Sequence, residues 1–106
     1  MNIGFDVTDT ITRYPKQCKA LIDSLHKDGW KIFVVSPNAI DTIENDLFLT
    51  KIDKEKVEII VSRDKWVVCK EKEIDIFLDD LDDYLDPMLE NKLDIMPLKV
   101  KRKDML

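Results

Sequence analysis

The feature that most constrains the fold of this chain is a regular alternation of short apolar runs with segments of helical periodicity. The apolar runs are rich in β-branched and aromatic residues, which is typical of strands, and they cover residues 2–5, 31–35, 57–61 and 74–78. Strands that alternate with helices form a parallel sheet covered on both faces. Because crossovers between parallel strands are right-handed, the pattern predicts an α/β fold with a three-layer, doubly wound parallel sheet.

The segments between the strands have the spacing and the end signals of helices. A helix from Pro15 to Gly29 is expected to turn one apolar face inward, formed by Cys18, Leu21, Ile22 and Leu25. A second helix over residues 39–50 is expected to bury Ile40, Ile43, Leu47 and Phe48. A third helix follows Ser62 or Asp64, a short fourth lies near residues 87–91, and a last strand lies near 94–97.

Length, charge and cysteine content narrow the class of protein. The 106 residues, 44% of them hydrophobic, suit one domain over residues 1–106, and the net charge of −5 disfavours nucleic acid as a partner. The chain has no apolar stretch of roughly 20 residues and no basic leader, so we expect no membrane partner. Cys18 and Cys69 lack zinc-site spacing and are expected as buried, reduced thiols in a cytoplasmic protein. The basic tail, residues 99–106, is interpreted as a solvated terminus.

Polar side chains follow the apolar runs at the point where each strand should end. Asp6 follows the first, Ser36 the second, Asp79 and Asp80 the fourth, and Lys65 comes shortly after the third. The carboxyl ends of parallel strands share one edge of the sheet, so these groups should lie together. Crowded carboxylates need a cation, and oxygen ligands with phosphate suit Mg²⁺. The pattern therefore predicts Mg²⁺-dependent phosphoryl transfer with one aspartate as nucleophile.

Four of these segments, read in order, resemble the motifs of the haloacid dehalogenase-like superfamily. The stretch 3–10, IGFDVTDT, resembles a first motif in which Asp-x-Asp-x-Thr follows an apolar strand. Residues 34–36 resemble the second motif, Lys65 the third, and the acidic pair after 76–78 the fourth. The resemblance covers about residues 2–86 and implies a Rossmann-like fold.

The resemblance also implies a role for each matching residue. Asp6 would be the nucleophile that forms an aspartyl-phosphate, and Lys65 would neutralise charge on Asp6 and on the phosphate. Asp6, the backbone carbonyl of Thr8, and one or both of Asp79 and Asp80 would hold Mg²⁺. The substrate side of the site would be formed by Thr10, which braces the loop, and by Ser36 and Asn38.

Thr8 departs from the family pattern, because the hydrolases usually carry a second aspartate there as general acid and base. A hydroxyl cannot exchange protons near neutral pH as a carboxylate does, and such help is typically worth about 10²–10⁴-fold in rate. We therefore expect a slow phosphatase-like or phosphotransferase domain in which Thr8 still takes part. Asp9 is the other candidate for the proton carrier, or else a turn residue. The alternative is a catalytically inactive binding or regulatory module with the same fold.

The relatives often carry a cap domain, but residues 12–15 and 51–55 are both too short to hold one, so the chain is expected to be a minimal, capless member. An open site buries little of a small ligand. The expected substrate is therefore phosphorylated and macromolecular, with phosphoprotein favoured over nucleic acid by the acidic surface, unless a second subunit of a homo-oligomer covers the site.

Overall fold

The sheet of this protein contains five parallel strands in the order β3-β2-β1-β4-β5. The structure, a computed structural model, describes residues 1–102. The strands are β1 (Asn2–Phe5), β2 (Lys31–Ser36), β3 (Glu58–Val61), β4 (Ile76–Asp79) and β5 (Met96–Lys99). The predicted α/β fold with a doubly wound parallel sheet is confirmed.

Helices cover both faces of the sheet. They are α1 (Pro15–Lys27), α2 (Ile40–Leu49), α3 (Lys65–Glu71) and α4 (Asp82–Glu90), with a short 3-10 turn at Lys54–Lys56. Helices α1 and α2 pack on one face, over a core that includes Ile3, Phe5 and Val34. Helices α3 and α4 pack on the other face, against Phe33 and Phe77. The alternation of side chains along each strand thus feeds two separate cores. Within residues 1–102, none of the helices has the length and apolar character that a membrane crossing requires.

Most of the sequence-based elements are confirmed, and the errors are mainly at helix faces and element ends. Cys18, Ile22, Ile43 and Leu47 are buried as expected. The predictions for Leu21, Ile40 and Phe48 are wrong, because these side chains are exposed, Phe48 to 79%. Helix α4 begins at Asp82, five residues before the predicted start at 87. Strand β4 begins two residues and ends one residue later than predicted, and β5 is displaced by two residues towards the C-terminus.

The chain order places β1 at the centre of the molecule. From β1 the chain moves outward to β2 and β3, then returns to the other side of β1 to form β4 and β5. The carboxyl ends of β1 and β4 therefore flank the point at which the strand order reverses, where ligands bind in open α/β sheets. Phe5 is in register with Leu78, so Asp6 and Asp79 leave their strands at the same level.

In the described part of the C-terminal tail, residues 99–102, the lysines are exposed as expected of a solvated terminus, but the backbone is also bonded to the rest of the protein. Lys99 is the last residue of β5 and forms an ion pair with Asp82. The Val100 amide donates to the carbonyl of Asp79 at 2.8 Å, and the Tyr14 hydroxyl donates to the carbonyl of Lys101 at 2.7 Å. The first part of the tail is therefore fastened to the sheet edge, while residues 103–106 lie outside the described residues.

Candidate active site

Three buried carboxylates meet at the carboxyl ends of β1 and β4. Asp6, Asp79 and Asp80 each present an oxygen within 4.8 Å of the other two. The residues are 5%, 0% and 3% exposed, respectively. Asp6 is the first residue after β1 and Asp79 the last of β4, and the Asp6 amide donates to the carbonyl of Leu78 at 2.9 Å. The convergence that the strand ends predicted is therefore present.

Lys65 lies beneath these carboxylates and neutralises part of their charge. Its Nζ donates to Asp6 Oδ1 at 2.6 Å and to Asp79 Oδ2 at 2.8 Å, and its side chain is 0% exposed. The same Nζ lies 4.0 Å from the centre of the Tyr84 ring, which is a cation–π contact. Lys65 is thus surrounded by protein and has no exposed surface towards solvent. Its predicted contact with a substrate phosphate stays a prediction, and its charge acts on the two aspartates.

A wide turn after β1 shapes the site above Asp6. It is closed by the Thr12 amide, which donates to the Val7 carbonyl at 3.1 Å. The Thr10 hydroxyl donates to Asp6 Oδ2 at 3.1 Å, so Thr10 orients the predicted nucleophile. Asp9 has φ of 61°, a left-handed conformation that aspartate tolerates better than most residues. This agrees with its interpretation as a turn residue.

The crowding of the carboxylates changes their affinity for protons. Burial raises the pKa of Asp6 to about 7, the nearby charge of Asp79 adds to this, and Lys65 opposes it. Burial also raises the pKa of Asp79, again against the effect of Lys65. The negative charge at this edge is therefore only partly compensated by the protein itself.

The donor set fits a Mg²⁺ ion. All three candidate ligands are carboxylates, which Mg²⁺ prefers, and Lys65 forms ion pairs with only two of them. Asp80 Oδ1 is buried and has no hydrogen-bond partner among the described residues. A buried carboxylate oxygen without a partner is costly unless a cation or water satisfies it. Asp80 is therefore the side chain best placed to hold the ion. Both oxygens of Asp6 and both oxygens of Asp79 already accept hydrogen bonds within the site.

A cleft of about 240 Å³ opens onto this cluster from the solvent side. Asp6, Thr8, Ser36, Asn38 and Asp80 are among its lining residues. The Asn38 side-chain amide donates to Thr8 Oγ1 at 3.2 Å, and the Asn38 backbone amide donates to Ser36 Oγ at 3.1 Å. The end of β2 and the turn after β1 are thus joined across the cleft. Of the predicted site residues, Thr10, Lys65 and Asp79 lie behind this surface and do not line the cleft.

Two residues near the site were not singled out from the sequence. Tyr84 was missed because α4 was expected to begin three residues after it. Arg102 was assigned to a solvated tail, yet its Nε lies 3.4 Å from Asp80 Oδ2 and it lines the cleft. Residues at the carboxyl end of a parallel strand lie at the ligand-binding edge, and this rule, applied to β5, would have found Arg102.

A larger depression of about 520 Å³ lies at the opposite end of the sheet, beside Asn2, Cys69 and Asp75. Its lining contains none of the buried carboxylates of the cluster Asp6, Asp79 and Asp80. We assign the functional site to the smaller cleft, because that cleft opens onto those costly buried charges.

Comparison with known proteins gives one informative result. A scan of protein-family models and a search of curated proteins found no match to the sequence. Among solved structures, the chain is similar to the HAD domain of the effector protein Lem4 from Legionella pneumophila, determined as an inactive mutant. The match has a TM-score of 0.64 and 14% sequence identity, and covers 96% of this chain and 84% of that one. The protein therefore has a haloacid dehalogenase-like (HAD-like) fold with a buried acidic cluster at its switch point.

Proposed function

We propose that this protein is a Mg²⁺-dependent phosphatase-like or phosphotransferase domain that acts through an aspartyl-phosphate on Asp6. The observation that carries the proposal is the buried cluster of Asp6, Asp79 and Asp80 around Lys65, at the floor of an open cleft. Buried, mutually repelling carboxylates are costly to keep, and such perturbed groups concentrate at functional sites. Mg²⁺, when bound, would supply the positive charge that a phosphoryl group needs beside a carboxylate.

In the first half of the reaction, a carboxylate oxygen of Asp6 attacks the phosphorus, and the bond to the ester oxygen breaks. Thr10 and Lys65 hold the Asp6 carboxylate in place through the hydrogen bonds at 3.1 Å and 2.6 Å. In the second half, water attacks the phosphorus of the aspartyl-phosphate, and inorganic phosphate and the Asp6 carboxylate are released. An alcohol in place of water would make the domain a phosphotransferase.

Thr8 should make the second half of the reaction slower than the first. An aryl phosphate releases a phenolate that needs no proton, so the first half can proceed without a general acid. The second half needs a base to activate water, and Thr8 offers only a hydroxyl whose oxygen already accepts from Asn38. With p-nitrophenyl phosphate and Mg²⁺ we therefore expect a rapid release of nitrophenolate, stoichiometric with the protein, followed by slow turnover.

The experiment compares the parent with Asp6→Asn and with Asp86→Asn, an exposed aspartate on α4 that serves as control. Asp6→Asn should abolish both the burst and the slow phase, and Asp86→Asn should preserve them. Omission of Mg²⁺ should likewise abolish both the burst and the slow phase of the parent. Equal rates in the parent and in Asp6→Asn would remove Asp6 from the mechanism.

We propose phosphorylated macromolecules as the substrates. The cleft of about 240 Å³ is smaller than the sites of about 300–1,000 Å³ that enclose small ligands. Only the connection of residues 12–14 follows the turn after β1, and residues 50–57 join α2 to β3, so neither carries a lid. A phosphoryl group presented on a protein surface reaches such a site without being enclosed.

The second candidate is a regulatory module without turnover, and the observation that favours it is the exposed Thr8 in the place of a carboxylate. The two hypotheses diverge with beryllofluoride, which mimics an aspartyl-phosphate. A competent site should gain thermal stability with beryllofluoride and Mg²⁺, and Asp6→Asn should lose that gain. Absence of any shift in the parent would favour the module.

A further inference from the structure

We propose that Arg102 binds the phosphoryl group of the substrate, and that the segment after β5 exists in part to place it there. The inference rests on the proposed function, since it concerns a phosphorylated ligand in the same cleft. It assigns a substrate contact to a part of the chain outside the strand-end motifs.

The segment after β5 is held in place by contacts that do not involve the Arg102 side chain. The Val100 amide donates to the Asp79 carbonyl at 2.8 Å, which continues the β4–β5 ladder to the edge of the site. Tyr14, just before α1, donates its hydroxyl to the Lys101 carbonyl at 2.7 Å. Lys99 Nζ pairs with Asp82 at 2.9 Å. Three separate contacts therefore fix the backbone on both sides of residue 100.

Arg102 is positioned at the cleft of the candidate active site. Arg102 lines the same cleft as Asp6, Thr8 and Ser36, with its Nε 3.4 Å from Asp80 Oδ2 and its side chain 37% exposed. An arginine guanidinium is planar and carries five donors, so one group can contact a carboxylate and a phosphate together. Arg102 thus lies beside Asp80, in the cleft that the predicted nucleophile also lines.

The charges of the residues that line the cleft also favour a contact between Arg102 and a phosphate. The described lining of the cleft includes three acidic residues, Asp6, Asp9 and Asp80, and a phosphate monoester brings about two further negative charges near neutral pH. Lys65 does not line the cleft, because it is buried between Asp6 and Asp79. Among the cleft-lining residues in the described part of the chain, Arg102 is the cationic one. The incoming phosphoryl group therefore meets Arg102 rather than Lys65.

Asp80 contacts Arg102 through one oxygen and would offer the other oxygen to Mg²⁺. Oδ2 faces Arg102, while Oδ1 is buried without a hydrogen-bond partner among the described residues and is available to Mg²⁺. The positive charge of Arg102 weakens the attraction of Asp80 for a second cation at close range. Loss of Arg102 should therefore weaken phosphate binding and strengthen Mg²⁺ binding, which are opposite effects.

The test compares Arg102→Ala with Arg63→Ala, an equal loss of charge at an exposed arginine between β3 and α3 that does not line the cleft. Calorimetry would measure binding of inorganic phosphate in the presence of Mg²⁺, and separately binding of Mg²⁺ alone. Arg102→Ala should weaken phosphate binding by roughly 10–100-fold, the range for a hydrogen bond to a charged group. It should tighten Mg²⁺ binding, whereas Arg63→Ala should change neither. Arg102→Lys should restore part of the phosphate affinity.

The outcomes separate this proposal from the proposed function, because phosphate binding requires no turnover. A parent that binds phosphate through Arg102 but shows no burst with p-nitrophenyl phosphate would keep this proposal and overturn the catalytic one. If the parent turns over p-nitrophenyl phosphate but Arg102→Ala binds phosphate as tightly as the parent does, the catalytic proposal stands and this proposal is overturned. Weaker binding of both phosphate and Mg²⁺ in Arg102→Ala would indicate a damaged site and overturn the assignment, as would a parent that binds no phosphate.

Discussion

At the scale of one residue, Lys65 shows why this site needs a buried, positively charged side chain. Its ammonium group contacts Asp6, Asp79 and the ring of Tyr84, and no part of the side chain is exposed. Burial raises the pKa of both aspartates, and the charge of Lys65 opposes this rise. Lys65 therefore keeps the nucleophile closer to its charged form, and its loss should affect stability as well as chemistry.

Replacement of Lys65 tests this balance. Lys65→Met keeps the apolar stem and removes the charge, which leaves Asp6 and Asp79 buried without their common partner. We expect a loss of about 3–5 kcal/mol in the free energy of unfolding, measured by urea denaturation without Mg²⁺. Lys72→Met is the matched control, because the pair between Lys72 and Glu58 is exposed and should contribute less than about 1 kcal/mol. Similar losses in the two variants would contradict the role given to Lys65.

Replacement of Thr8 tests the cause of slow turnover. Thr8→Asp restores a group that can exchange protons, and the Asn38 amide, which now donates to the Thr8 hydroxyl at 3.2 Å, is placed to orient the new carboxylate. We expect steady-state hydrolysis of p-nitrophenyl phosphate to rise by about 10²-fold or more, with the burst lost as the second step becomes faster. The gain should vanish in the double variant with Asp6→Asn. A rate unchanged by Thr8→Asp would mean that the proton carrier is not what limits this site.

At the scale of elements, β1 depends on the contact between Gly4 and Phe77. Ile3 and Phe5 face the core under α1 and α2, so a side chain at residue 4 would face the opposite core. A Cβ at Gly4 would lie 2.5 Å from Phe77 Cδ1, and the Phe77 side chain is fully buried. The absence of a side chain at residue 4 is therefore a packing requirement of the central strand.

Gly4→Ala should destabilise the fold through this clash. We expect a loss of about 1–3 kcal/mol from overpacking, measured by thermal or urea unfolding. The diagnostic step is a double-mutant cycle with Phe77→Leu, which removes ring atoms from the path of the new methyl group. In the Phe77→Leu background the cost of Gly4→Ala should fall sharply, and an equal cost in both backgrounds would place the strain elsewhere.

The elements also show how far sequence reasoning reaches. Strands such as β1 and β2 were predictable because buried parallel strands are apolar on both faces, and the positions of Asp6 and Ser36 come from where those strands end. The exposure of Ile40 and Phe48 was not predictable, because the spacing of apolar residues does not reveal which side of a helix lacks a packing partner. Arg102 was missed because composition marks a basic terminus as solvated, whereas its position depends on long-range contacts from Tyr14 and Asp79.

At the scale of the whole molecule, the topology concentrates negative charge at one edge of a protein that is already acidic. Asp6, Asp79 and Asp80 come from two strands adjacent in space but some 70 residues apart in sequence, and all three are buried together. Because the native state holds carboxyl groups with raised pKa values, it binds protons that the unfolded chain releases. The stability of the entire fold is therefore coupled both to pH and to Mg²⁺.

The direction of this coupling can be worked out from Asp6. Its pKa rises from 3.8 to about 7 on folding, mainly through burial, so the stabilisation that comes with its proton is complete below pH 3.8 and is lost as the pH rises towards 7. The pKa of Asp79 is raised as well, which adds to the same trend. Asp23 has a lowered pKa, because of hydrogen bonds from Lys19 and Lys56, so its contribution changes only at more acidic pH.

Without Mg²⁺, the free energy of unfolding should therefore fall between about pH 4 and pH 7, and urea denaturation across that range in the presence of a chelator would measure it. Asp6→Asn should flatten the decline, whereas Asp86→Asn should retain it. Mg²⁺ binds the deprotonated carboxylates, so its stabilising effect should grow over the same range and offset the loss. A stability independent of pH in this window, or a Mg²⁺ effect of equal size at both ends of it, would mean that this buried acidic cluster does not bind the cation.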